Sequence, residues 1–196
     1  MADLDGKPAE QFLEALKRRN LEGKKALIAD LRRRKTDKAI DILLDVLQDD
    51  SWYLRELAVD ALGEAGTAAV PRLTELLDSG LWYTRAAAAR TLGKIGHVPT
   101  VPMLVKLLGD PNQTVQGASL ASLADFVRKG RALDVARGFW AEGPRRSEEL
   151  KRLLLAVHAE SGEQVAAILA EPASLTPGTP ESRNVSESGN GETAEA

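Results

Sequence analysis

Apolar residues recur at helical spacing along most of the chain, and between Ser51 and Asp110 the whole pattern is written twice. Trp52, Tyr53, Arg55, Ala58, Leu62, Gly63, Val70, Pro71, Leu73, Leu76 and Leu77 return as Trp82, Tyr83, Arg85, Ala88, Leu92, Gly93, Val101, Pro102, Leu104, Leu107 and Leu108. The offset is 30 residues in the first half and 31 after Gly96. Such a period marks a solenoid of stacked two-helix units, none of which buries its apolar face alone. Fainter copies lie on either side. Leu31, Leu123 and Leu154 continue the column of Leu62 and Leu92 at intervals of 31, 30, 31 and 31. Leu47, Leu77, Leu108 and Phe139 form a second column, and Ile40, Val70, Val101 and Ala132 a third.

The pattern predicts first helices over Gly23–Arg34, Ser51–Glu64, Leu81–Ile95, Asn112–Lys129 and Arg146–Ser161. Their partners are predicted over Asp37–Gln48, Ala68–Asp78, Pro99–Leu108, Arg131–Ala141 and Glu163–Glu171. Thr36 and Thr67 stand where an N-cap hydroxyl accepts an orphan amide, and Pro99 and Pro111 suit a first helical position. Pro71 and Pro102 fall in first turns, where no intrahelical acceptor is lost. Leu54, Ala58, Ala61, Leu62 and Ala65 trace one buried stripe, and Ala86 to Ala89 in the second copy mark the tightest expected layer. Ahead of the first pair, Lys7–Arg19 reads as a short amphipathic helix carrying Phe12, Leu13 and Leu16, suited to capping the open end of the stack.

Composition narrows the picture. Aromatic residues are only 4% of the chain, which fits close helix packing and not a β-sandwich. Cysteine is absent, so disulfides, thiolate metal sites and cysteine nucleophiles are excluded. His97 and His158 are the only histidines, too few for a multi-histidine metal centre. The N-terminal sequence has no apolar signal core and no run approaches a bilayer span, so a soluble cytoplasmic protein is expected. Net charge is -3, with residues 1–40 holding 11 Lys and Arg against 7 Asp and Glu. The signs alternate there, as on a solvated face. Residues 172–196 hold one Arg against four Glu among Pro, Gly, Ser, Thr and Asn, and a disordered acidic tail is expected.

The pattern W-Y-x-R-x-x-A-x-x-x-L-G, a turn, then V-P-x-L-x-x-L-L resembles the HEAT repeat in its short bacterial, PBS-lyase HEAT-like form. The resemblance implies an all-α, right-handed α-α superhelix of about five helix pairs. The organisation follows as a capping helix in residues 1–20, a HEAT-like domain in 21–171 and a tail in 172–196. It also implies a ladder of turn carboxylates and first-helix arginines, here Asp49 or Asp50 with Arg55, and Asp78 with Arg85. Gln116 replaces that arginine in the fourth pair and Lys24 in the first, while Gln113 and Thr114 replace Trp and Tyr. The family mostly supplies scaffolds whose second helices line a concave protein-binding surface, which here would present Asp45, Arg72, Glu75 and Lys106.

Enzymes built on such repeats provide tests. The His-Glu pairs that deoxyhypusine hydroxylase needs are missing, since Val98 follows His97 and Ala159 follows His158. His97 reads as an exposed loop residue and His158 as a partner of a helix C-terminus. A phycobilin lyase-like subunit stands as the alternative. Trp52, Trp82 and Asp60 invite comparison with HEAT-like DNA glycosylases, but the second-helix charges nearly cancel, which disfavours nucleic acid. Trp52 and Tyr53 fall on opposite flanks of the buried stripe, away from its centre. With Trp82 and Tyr83 they form either an aromatic ridge suited to binding or rings packed against the preceding turn and its arginine. The reading is a non-enzymatic scaffold for a protein partner, with no metal and no cofactor.

Overall fold

The computed structural model describes residues 20–171 together with Ala173 and Leu175. Among these residues ten α-helices form an all-α solenoid of five consecutive pairs. They are α1 (Leu21–Arg34) with α2 (Asp37–Val46), α3 (Trp52–Ala65) with α4 (Val70–Leu76), and α5 (Trp82–Ile95) with α6 (Val101–Leu107). Then follow α7 (Gln113–Arg128) with α8 (Ala132–Ala141), and α9 (Pro144–Val157) with α10 (Ala159–Leu169). The expected capping helix and most of the expected tail lie outside the described residues. Leu175 is buried within the core, so the packed region reaches past α10.

The leucine column is the axis of the core. Leu31, Leu62, Leu92, Leu123 and Leu154 are each 0% exposed, one per first helix. Burying a leucine fully is worth about 1.5–3 kcal/mol, so the column is a major driving term. Leu47, Leu77, Leu108 and Phe139 are buried with it, as are Ile40, Val70 and Val101, while Ala132 is half-buried.

First helices carry the stack, α1 on α3, α3 on α5 and α5 on α7, and the last of these contacts is the most extensive among the described residues. Its cause is side-chain size. Ala86, Ala87, Ala88 and Ala89 are all buried, and a Cβ on Gly93 would lie 2.6 Å from the Ser122 Cβ and 2.8 Å from its Cα. The Ser122 hydroxyl donates to backbone carbonyls of Ala89 and Ala118 at 2.9 and 2.8 Å, so its burial leaves no polar atom unmet. At the end of α5, Gly96 takes the left-handed conformation (φ 73°) and the Lys129 ammonium, from the end of α7, donates to the Gly93 carbonyl at 2.8 Å. Both complete that helix C-terminus.

Local punctuation explains the helix starts. Asn20 accepts from the Gly23 amide at 2.9 Å, Thr36 from Ala39 at 3.2 Å, and Asn112 from Thr114 at 2.9 Å. Three expectations are corrected. Thr67 caps nothing: it lies inside a 3-10 turn, Gly66–Ala69, that leads into α4, and Val98–Thr100 leads into α6 in the same way. Pro111 lies in the turn ahead of the Asn112 cap and not inside α7. In the fifth pair the break falls at His158, a half-buried single-residue joint between α9 and α10, so the first helix stops short of Ser161. His97 is likewise half-buried, its carbonyl accepting from Thr100.

The fifth pair also reverses its order. It is α10, not α9, that packs on both α7 and α8, while α9 packs on α8 and α10. Gly162 permits the tight turn, since a Cβ there would lie 2.6 Å from backbone atoms of Leu155.

Substituting Gly93→Ala should destabilise the chain by about 1–3 kcal/mol, because α5 and α7 must separate. Gly117→Ala, on α7 with nothing within 4 Å of its Cβ position, should gain up to about 1 kcal/mol of helix propensity. Urea or thermal unfolding of both variants checks the pair.

Candidate functional site

Three surfaces run along the stack, and their charges are organised differently. On the first-helix surface, cations and anions of neighbouring repeats neutralise one another. Arg32 of α1 pairs with Glu64 of α3, Arg90 of α5 with Glu56 of α3, and Lys94 of α5 with Asp60 of α3 at 2.7 Å. Asp60, the carboxylate that invited a glycosylase comparison, is therefore half of a cross-repeat ion pair.

The edge at the N-terminal ends of the first helices holds the turns. Asp49, Ser79 and Asp110 occupy equivalent positions, and each side chain accepts the amide two residues on: Ser51 at 2.8 Å, Leu81 at 3.3 Å and Asn112 at 2.8 Å. The carbonyls of the same three residues accept from Arg55 (2.6 Å), Arg85 (2.8 Å) and Gln116 (2.6 Å), always six positions ahead. The expected ladder exists with different rungs. Arg55 reaches the Asp49 carbonyl, and Asp78 is an exposed residue with no part in it. The Arg85 guanidinium makes a two-pronged pair with Asp110 of the next turn, at 2.8 and 2.9 Å. Lys24 approaches Asp49 at 3.7 Å in the same register. Gln116 retains the backbone half of the interaction, which an uncharged amide can make.

The Trp-Tyr pairs divide between the two readings offered for them. Each tyrosine lies beneath a cation of the preceding repeat: Lys25 over Tyr53 at 5.0 Å, and Arg55 over Tyr83 at 4.6 Å. Each tryptophan instead faces outward, Trp52 at 66% and Trp82 at 44% exposure, in line with Leu21.

The second helices stand further apart than the first, and clefts open between them. A cleft of about 550 Å³ between α4 and α6 is lined by Leu77, Asp78, Met103, Lys106 and Pro111, with Arg85 and Asp110 at its edge. Another, of about 340 Å³, separates α6 from α8 and includes Val101, Pro102, Asp134 and Arg137. Of the residues expected here, Arg72 is bound to Asp41 at 2.9 Å across the α2–α4 step. Asp45 is half-buried; burial, and secondly repulsion from Asp41, push its carboxyl above the ordinary value. Glu75 and Lys106 are exposed. Sequence reasoning missed Arg137, which is 31 residues beyond Lys106 and two before Phe139, as Lys106 is two before Leu108.

Helix hairpins in file, a buried leucine in every first helix and a repeated turn ladder define a helical-repeat scaffold of the HEAT type. The family model for HEAT repeats matches residues 9–82 and 70–154, and the chain belongs to that family. No curated protein matches the chain. Among solved structures it is similar to the complex of CpcE and CpcF of phycocyanin lyase from Nostoc sp. PCC7120, at 23% identity over 86% of this chain and 74% of that one, with a TM-score of 0.44. Among the described residues no helix is long and apolar enough to cross a membrane.

Asp110 yields a pH prediction. Its carboxyl is held below the usual range chiefly by the Arg85 guanidinium and further by the Asn112 amide, with burial opposing. A lowered folded-state value means stability that is complete above the unfolded carboxyl value of about 3.9 and lost as pH falls through the folded one. Asp110→Asn should cost about 1.5–3 kcal/mol at neutral pH. Its unfolding free energy should also lose part of the steep acid dependence below pH ~4, as a urea titration series over pH would show.

Proposed function

We propose that this chain is a non-enzymatic scaffold that binds a protein partner through its second-helix face. The carrying observation is the contrast between surfaces. The first-helix charges Arg32, Glu56, Asp60, Glu64, Arg90 and Lys94 are consumed within the stack, whereas Asp45, Glu75, Lys106 and Arg137 form no ion pair among the described residues. Charges left unmet on a rigid, cleft-bearing surface favour partner selection, since complementary charge fixes register and excludes wrong partners. Exposed Met103, Leu133 and Trp140 on α6 and α8 supply apolar and aromatic contact beside them. The ionisable pair at the cleft edge, Arg85 with Asp110, is committed to joining repeats, which supports a binding role over a catalytic one.

Affinity capture from the source extract with full-length protein tests this. The Glu75→Lys/Lys106→Glu variant should recover about tenfold less partner, a loss of ~1.4 kcal/mol, while Trp52→Ala/Trp82→Ala should recover as much as the parent chain. Undiminished recovery by the charge variant would reject the second-helix face. Loss with the tryptophan variant alone would move the site to the aromatic edge.

A further inference from the structure

Resting on that reading, the partner's own chemistry can be specified. Asp45, Glu75, Lys106 and Arg137 occupy one equivalent position on α2, α4, α6 and α8, at offsets of 30, 31 and 31, each two residues before the buried column Leu47, Leu77, Leu108 and Phe139. Two positions on a helix turn a side chain away from the buried face, so the four form an outward column with one charge per repeat. The sign changes once, at the middle of the stack: two carboxylates, then two cations. None has an ion partner among the described residues, and Glu75, Lys106 and Arg137 are exposed while Asp45 is half-buried.

We infer that this column binds an extended segment of a partner protein in which two cations and two anions follow in blocks, one charge every third residue. Neighbouring packed helices lie on the order of 10 Å apart. One turn of extended polyproline II chain is three residues and spans about 9 Å, so every third side chain points the same way. An extended peptide can thus place a charge opposite every repeat, its cations over Asp45 and Glu75 and its anions over Lys106 and Arg137. An alternating order of the same residues meets the column with two attractive and two repulsive contacts in either direction.

The test uses fluorescence anisotropy of two labelled peptides of identical composition with the full chain at low ionic strength. One carries Lys, Lys, Glu, Glu and the other Lys, Glu, Lys, Glu, with two Gly or Ser residues between charges. Exposed pairs contribute modestly one at a time, so the block peptide should bind about tenfold tighter, with the difference collapsing at high salt. Lys106→Glu/Arg137→Glu makes the column wholly acidic and should switch preference to a peptide with lysine at all four positions, a gain that misfolding cannot produce. Equal binding of block and alternating peptides, or a variant that keeps the block preference, overturns the inference. Binding that falls as protein concentration rises would give the face to a second copy, and binding seen only after removal of residues 176–196 would give it to the chain's own acidic end; both also overturn it. A partner captured through this face but indifferent to charge order would defeat the block rule while leaving the scaffold reading intact.

Discussion

The close approach of α5 and α7 is the constraint from which the other surfaces take their shape. Gly93 and the run Ala86 to Ala89 remove side-chain volume where the two helices meet, and Ser122 enters with a hydroxyl already satisfied by two carbonyls. Interiors are close-packed, so removing volume on one side of a two-layer stack draws that side together. Between second helices Leu77 and Met103 line an open cleft, and the close approach of Gly138 to Val101 and Val105 leaves a second cleft beside it. A choice of small residues in one layer therefore produces usable concavities in the other.

That layer is also where sequence reading succeeds. The leucine column was legible because each repeat must bury the same position, and periodicity records a requirement the chain meets five times. Pairing of the ladder was not legible. Asp78 satisfies a rule of acidic turns, but the geometry selects the next residue, Ser79, whose side chain and carbonyl serve the turn as those of Asp49 and Asp110 do. With serine there, Arg55 lacks a carboxylate in the following turn and lies over Tyr83, while Arg85, one repeat on, finds Asp110. One substitution in a ladder changes the partner of the rung before it.

The fifth pair was hidden for a different reason. Its register survives in Leu154, yet the joint at His158 carries neither proline nor glycine, and the residue permitting the sharp return, Gly162, lies four positions later inside α10. The fifth hairpin thus departs from the packing order of the four before it, in which the first helix carries the stack. Bringing α10 across α7 and α8 covers two helices with one element. Arg137 stands outside the two strong copies, one further step of their own offset beyond Lys106.

The electrostatic division between surfaces follows from the same stacking geometry. First helices lie close enough for Arg32, Arg90 and Lys94 to reach carboxylates 30-odd residues away, and these pairs are half-exposed. Exposed pairs of this kind contribute about 0–1 kcal/mol each, so their main effect is to fix the register of one repeat on the next and leave little charge for a partner. On the second helices Arg72 and Asp41 form one such pair, while the column charges form none among the described residues. Asp45 has only the like-charged Glu75 beside it in the column, and Glu75 and Lys106, where the sign changes, form no ion pair. The field of that face is therefore available to an incoming chain, and its single sign change provides direction as well as attraction.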